Sequence, residues 1–253
     1  NMSGHSKWST IKHKKGAQDT RRGQLFTKLS REITVAAKSG DQNPDMNFRL
    51  RLAVDNAKSQ NMPKENIERA IIKGSGSSDK SDTLFEITYE AYGPGGVGII
   101  INVLTDNKNR SASLVRSLIT RNGGSLAGSG SVAWNFLTKG LVTVTVLGED
   151  PERLALEVMD EGIEEIDIDG ESVDVTSGYE EFSKIKEFIQ KLGYTQIERA
   201  EIIQLPTSTV DLDDSQSIQT LRLLDSLEEL DDVTKIFSNA NFTDIAMEEY
   251  ANS

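Results

Sequence analysis

Residues 141–205 impose the tightest constraint on the fold. Leu141–Leu147 reads as a strand and Glu152–Asp160 as a helix opened by Asp150-Pro151. Ile163–Ile168 and Ser172–Thr176 are two strands around the turn signal Asp169-Gly170. Glu180–Leu192 is a helix stopped by Gly193, and Gln196–Leu205 is a last strand. This βαββαβ order predicts a ferredoxin-like unit. Leu205-Pro206 ends it. The following helix over 214–230 and short strand around Val233–Phe237 have no neighbours of their own. The strands at Leu84–Ala91 and Val97–Leu104 and the helix Asn109–Arg121, with Leu114, Val115, Leu118 and Ile119 inward, also need a complete sheet. Pairing the two sets gives a second α+β domain from 82–130 and 206–245, with 131–205 inserted in it.

Residues 1–74 have a different period. Leu25, Phe26, Leu29, Ile33, Ala36 and Ala37 recur at three- and four-residue steps, which predicts a helix with one apolar arc and Gly40 as its stop. Arg21, Lys28, Arg31 and Lys38 fall on a neighbouring arc about 100° wide. Asn43-Pro44 reads as the start of a second helix with Phe48, Leu52, Ala53 and Ala57 inward; Pro63 starts a third, with Ile67, Ala70 and Ile71 inward. Gly74–Ser81 reads as a linker. The expected class is therefore α+β multidomain: a three-helix N-terminal domain and two α+β domains, the last ferredoxin-like and inserted in the second.

Charge divides the chain along the same line. The first forty residues hold nine lysines and arginines against Asp19 and Glu32, in a protein of formal net charge −12. Residues 1–73 carry fifteen basic and seven acidic side chains, and the remainder thirteen and thirty-three. Such a split describes partners rather than fold. The cations point to a polyanion, and the arm holding Lys7, Trp8, Lys12, His13, Lys14 and Lys15 adds an aromatic for stacking or anchoring. Arg21, Arg22, Lys28 and Arg31 continue the surface. The alternative is a cationic face that clasps the acidic domains of the same chain. The stretch 149–181 holds fourteen acids and only Arg153, so it turns away from a polyanion or meets something basic.

Chemistry-bearing motifs are few. There is no cysteine, which removes thiol chemistry and cysteine-ligated metals. Gly93, Gly95 and Gly98 spell G-x-G-x-x-G, but a strand pattern follows where a dinucleotide site needs a helix, so a hairpin turn is expected. Asp167–Glu171 lacks the spacing of a calcium loop. His5 and His13, both in the basic arm, are the only histidines, and neither H-E-x-x-H nor G-x-S-x-G occurs. No apolar run reaches membrane-spanning length and no secretory h-region opens the chain. We therefore expect a non-enzymatic cytoplasmic protein without metal or cofactor, whose partner is nucleic acid.

Several motifs together carry a resemblance. GHSKW at 4–8, IKHKK at 11–15, DTRRG at 19–23, FTKL at 26–29, REITVAA at 31–37, NMPKENIERAI at 61–71, YEAYGPGGV at 89–97, TDNKNR at 105–110 and GSV at 130–132 with Phe136 resemble the YebC/PmpR family over nearly the whole chain. Phe48 stands where that family usually has Pro, Ser30 where it has an aliphatic residue, and Ala91 where it often has Gly. The resemblance implies three domains, the third inserted in the second, and a cytoplasmic DNA-binding regulator of transcription. Relatives described as translational activators at ribosomes supply the other implied role.

Overall fold

The computed structural model describes Trp8 and residues 19–76, 83–159 and 162–252, the side chains of 19–21 excepted. Trp8 is helical, and from residue 19 on the described residues begin with three helices: α1 (Asp19–Lys38), α2 (Phe48–Ser59) and α3 (Lys64–Ser75). Leu29, Ile33, Ala36 and Ala37 of α1 form one core with Leu50, Val54, Ala57, Ile67 and Ala70. The second helix starts later than Asn43-Pro44 predicts. Asn43 spends its side chain accepting the Asp45 N–H, a local turn, while the Asn47 side chain caps α2 by accepting the Leu50 N–H at 3.1 Å. Its inward face also shifts, to Leu50, Val54 and Ala57; Phe48 and Leu52 pack instead on the ferredoxin-like core. So α2 is apolar on two sides because it has two neighbours.

The second domain contains β1 (Phe85–Tyr92), β2 (Gly98–Thr105), α4 (Lys108–Arg121) and β3 (Ser125–Ala127), and after the insertion β8 (Val210–Asp211), α7 (Asp214–Glu228), β9 (Val233–Ser238), β10 (Ala240–Asn241) and α8 (Asp244–Asn252). Its sheet has the order β3-β1-β2-β9; β8 and β10 form a separate parallel pair. The glycine cluster is the β1–β2 turn, with φ +70° at Gly95 and +83° at Gly96, the region that favours glycine. Strand β9 lies antiparallel to β2, with Ile99 opposite Ser238 and Ile101 opposite Ile236. The central strand β2 is buried on both faces, as its continuous apolar run predicts. Ile99, Ile101 and Val103 enter the core that also holds Val115 and Ile119 of α4 and Leu221, Leu224 and Leu227 of α7, whereas Ile100 joins Phe136, Leu141, Ile203 and Phe237 on the far side. Leu114, expected inward, is 44% exposed because that face centres on Val115 and Ile119.

The insertion runs β4 (Phe136–Thr145), α5 (Pro151–Val158), β5 (Ile163–Asp169), β6 (Ser172–Gly178), α6 (Phe182–Lys191) and β7 (Ile197–Pro206). Its antiparallel sheet has the order β5-β6-β4-β7, the ferredoxin-like arrangement. The two crossings between domains are tied together. The Asn135 side chain accepts from the Thr207 hydroxyl at 2.6 Å and the Ser208 N–H at 3.0 Å, and donates to the Ser208 carbonyl at 2.8 Å. Among the described residues no helix is long and apolar enough to cross a membrane.

Candidate nucleic-acid interface

The described basic residues of the helical domain fall into three groups, one of which, Arg49 and Arg51, pairs with Glu86 of β1 at 2.9 Å and with Glu187 of the insertion at 3.9 Å. Arg22 and Lys38 on α1, Lys58 on α2 and Lys64, Arg69 and Lys73 on α3 are exposed. Lys28 and Arg31 turn inward instead. The Lys28 ammonium donates to the Glu228 carbonyl at the end of α7. Burial lowers its pKa to about 8, against the opposing pull of Asp231. The Arg31 guanidinium donates to the Asp232 carboxylate at 2.7 Å, the Asp231 carbonyl at 2.9 Å and the Leu104 carbonyl at 3.3 Å. These two cations hold the helical domain to the second one, the clasping arrangement that the sequence left as an alternative.

Asp232 is the hub of that contact. Its side chain is 8% exposed, and it also accepts from Arg110 Nη2 at 3.0 Å, Thr105 Oγ1 at 2.9 Å and Ser111 Oγ at 2.5 Å. Burial alone would raise its pKa, but the hydroxyl and guanidinium donors outweigh it and hold the carboxyl at about 2. Thr105 and Arg110 of the TDNKNR segment are thereby explained as structural. Asn107 caps α4 by accepting the Arg110 N–H at 3.0 Å.

The helical domain touches the insertion as well. Phe48 meets Phe182 edge-on at 6.0 Å, and the buried Lys186 pairs with Asp55. A cavity of about 300 Å³ lies where all three units meet, lined by Glu32, Arg49, Leu52, Glu201, Gln204 and Lys235 among others. Lys235 pairs with Glu201 at 3.2 Å, and burial pushes the Glu32 carboxyl up. Among the described residues no group of three His, Cys, Asp or Glu side chains could hold a metal ion.

Lys7, Lys12, His13, Lys14 and Lys15 and the side chain of Arg21 lie outside the described residues. Trp8 has a place that its cationic neighbours conceal. It is 3% exposed and belongs to the core of the second domain with Val115, Leu223 and Leu227. Of the two roles the sequence left open, stacking or anchoring, this burial fits anchoring. Exposed aromatics lie elsewhere among the described residues: Phe85, Tyr92, Trp134 and Tyr179. Trp134 is 74% exposed and Tyr92 40% exposed, and both donate to the Ser131 carbonyl at 2.9 Å. Sequence reasoning passed over them. The available signal was a tryptophan in a stretch, 122–138, that contains no ionisable residue.

The architecture defines a class: a three-domain α+β protein in which a helical domain with exposed cations is clamped to an otherwise acidic body. The family description "TACO1/YebC protein N-terminal domain" matches residues 6–77, and "TACO1/YebC second and third domain" matches 84–240. The chain belongs to the TACO1/YebC family. It is 49% identical over 249 residues to a probable transcriptional regulatory protein of Dehalococcoides mccartyi, covering 98% of both chains. It is 46% identical over 241 residues to one of Thermomicrobium roseum, covering 95% of this chain and 97% of that one. The crystal structure of a conserved hypothetical protein from Aquifex aeolicus superposes with a TM-score of 0.83 at 41% identity, over 89% of this chain and 93% of that one.

Proposed function

We propose that the protein is a non-enzymatic, cytoplasmic, DNA-binding regulator of transcription that grips phosphates through its N-terminal basic domain. The observation that carries this reading is the sorting of cations. Lys28 and Arg31 serve the fold, while Arg22, Lys38, Lys58 and Arg69 remain exposed on a domain whose companions carry the chain's acid excess. Phosphate contacts of this kind supply affinity without requiring base readout. The names of the relatives from Dehalococcoides and Thermomicrobium favour transcription. The exposed pair Tyr92 and Trp134 favours a second reading, an RNA- or ribosome-associated translational activator. Mobility shifts on promoter duplexes and on scrambled duplexes, with ribosome sedimentation from lysate alongside, separate the two. Preference for the promoter duplex supports the first reading. Equal affinity for both duplexes with co-sedimentation transfers the function to the second.

A further inference from the structure

Tyr92 closes β1 and Trp134 stands in the short turn Ala133–Asn135, just before β4. We propose that these two side chains form a stacking platform for the unpaired bases of a single-stranded nucleic acid. The proposal rests on the nucleic-acid reading above and names the part of the ligand that the second domain reads.

The rings are held out rather than left loose. Their polar edges are both used on the Ser131 carbonyl, at 2.9 Å from the indole N–H and 2.9 Å from the phenol hydroxyl. A ligand is offered the ring faces, which suits stacking better than hydrogen bonding. The loop beneath is fixed. The Glu90 carboxylate, 6% exposed, accepts the N–H groups of Gly130 at 2.6 Å, Val132 at 2.6 Å and Ala133 at 2.8 Å. Val132 and Asn135 are buried on either side of Ala133 and Trp134, so the turn aims the indole outward. A platform organised before binding loses little freedom when occupied.

Charge points to the occupant. Residues 122–138 contain no ionisable side chain and Tyr92–Gly98 is also uncharged; Arg121 borders the stretch on one side, and on the other Lys139 is paired with Glu164 at 2.6 Å. On a chain of net charge −12 this is a surface where a phosphate backbone meets no carboxylate of the loop itself, because Glu90 faces inward and is compensated by three donors. Bases within a duplex are stacked on one another, and separating them costs free energy at every step, so aromatic faces receive unpaired bases at least cost. Position sets a length requirement. Tyr92 is opposite Gly98 at one end of the hairpin, and Leu104, whose carbonyl receives Arg31, is opposite Glu86 at the other. That separation is roughly 20 Å along the strand, more than a mononucleotide spans, so only a longer strand could touch the platform and the helical domain at once.

The chain contains two tryptophans, Trp8 buried and Trp134 exposed, so its fluorescence reports the platform directly. Titration with twelve-nucleotide oligo(U) and oligo(dT) is expected to quench the exposed component, an effect absent from Trp134→Phe. A twelve-base-pair duplex and uridine monophosphate should leave it unquenched. Trp134→Ala and Tyr92→Ala should each weaken single-strand affinity roughly 5- to 100-fold with the salt slope and duplex affinity unchanged, and Tyr92→Phe should bind like the parent. Single-strand binding without quenching, and unaltered in both alanine variants, overturns the platform and leaves phosphate binding by the basic domain standing. Absence of salt-dependent binding to any nucleic acid overturns both.

Discussion

Arg31 on α1 and Asp232 just before β9 meet at 2.7 Å across 201 residues of sequence. Asp232 satisfies two guanidinium groups and two hydroxyls at once, so removing it strands several buried donors. Asp232→Asn should lower stability by about 2–4 kcal/mol in urea unfolding at pH 7. Its depressed folded pKa adds a pH signature. A carboxyl held at about 2 contributes stability that is complete above its unfolded value near 4 and is lost as pH falls toward 2. Parent and Asp232→Asn unfolding curves should converge over that window by about 2 kcal/mol. A constant gap between pH 5 and pH 2 contradicts the hub.

The division of cations predicts two classes of variant. Lys28→Ala with Arg31→Ala should lower the melting temperature while leaving the salt dependence of DNA binding nearly intact. Changing Lys12, Lys14, Lys15, Arg21 and Arg22 to Ala should do the reverse, flattening the slope of log K against log salt by roughly 3–4 units. Unchanged affinity for both DNA and ribosomes after the five-fold change removes the basis of the functional proposal.

Lys28 also makes a prediction at alkaline pH. Its folded pKa, about 8, lies below that of a free lysine, so between pH 8 and about 10.5 the unfolded chain binds more protons than the folded one. Its contribution to stability therefore rises with pH across that interval. Comparison with Lys28→Met, whose unfolding free energy lacks this term, measures it, and parallel pH profiles for the two proteins rule it out.

Gly74 sets propensity against packing. A Cβ there would lie 2.3 Å from the Thr34 carbonyl oxygen, at the close crossing of α1 and α3. Helix propensity favours Ala over Gly by about 1 kcal/mol, and overpacking costs about 1–3 kcal/mol or more when backbone must move. Gly74→Ala should therefore be net destabilising by thermal melts, opposite to the sign expected of an exposed helical glycine.

The insertion predicts unequal fragments. Residues 131–206 contain a complete four-stranded sheet, whereas a chain ending at Pro206 lacks β9 and leaves an edge of β2 uncovered. The excised segment should melt cooperatively, and the truncated chain should aggregate or melt broadly. The opposite outcome contradicts 131–205 as an independent unit.

The βαββαβ pattern was readable because each element carries its own period and punctuation, down to Asp169-Gly170 and Gly193. The domain borders proposed from it await the fragment experiment. The burial of Trp8 was not legible because side chains near it in sequence are charged, while the core it joins is built from segments distant in the chain, among them those of Val115 and Leu223. Asp232 has no motif around it in the sequence; only β9 pairing brings it to Thr105 and Arg110. β3, β8 and β10, at two or three residues each, are too short to show a period. The exposed Trp134 was overlooked because tryptophan is expected inside, and only the arrangement around Ser131 and Glu90 turns it out.

The pairing of β2 with β9 has a consequence for biosynthesis. A ribosome delivers Ile101 long before its neighbour Ile236, so the middle strand of the second domain emerges with one hydrogen-bonding edge unclaimed. The helical domain precedes it and the inserted sheet follows it, and both have their partners nearby in sequence. Closure of the second domain, together with the seating of Arg31 on Asp232, therefore waits until β9 has emerged. A nascent chain that ends before Asp232 carries the helical domain without the carboxylate that clamps Arg31.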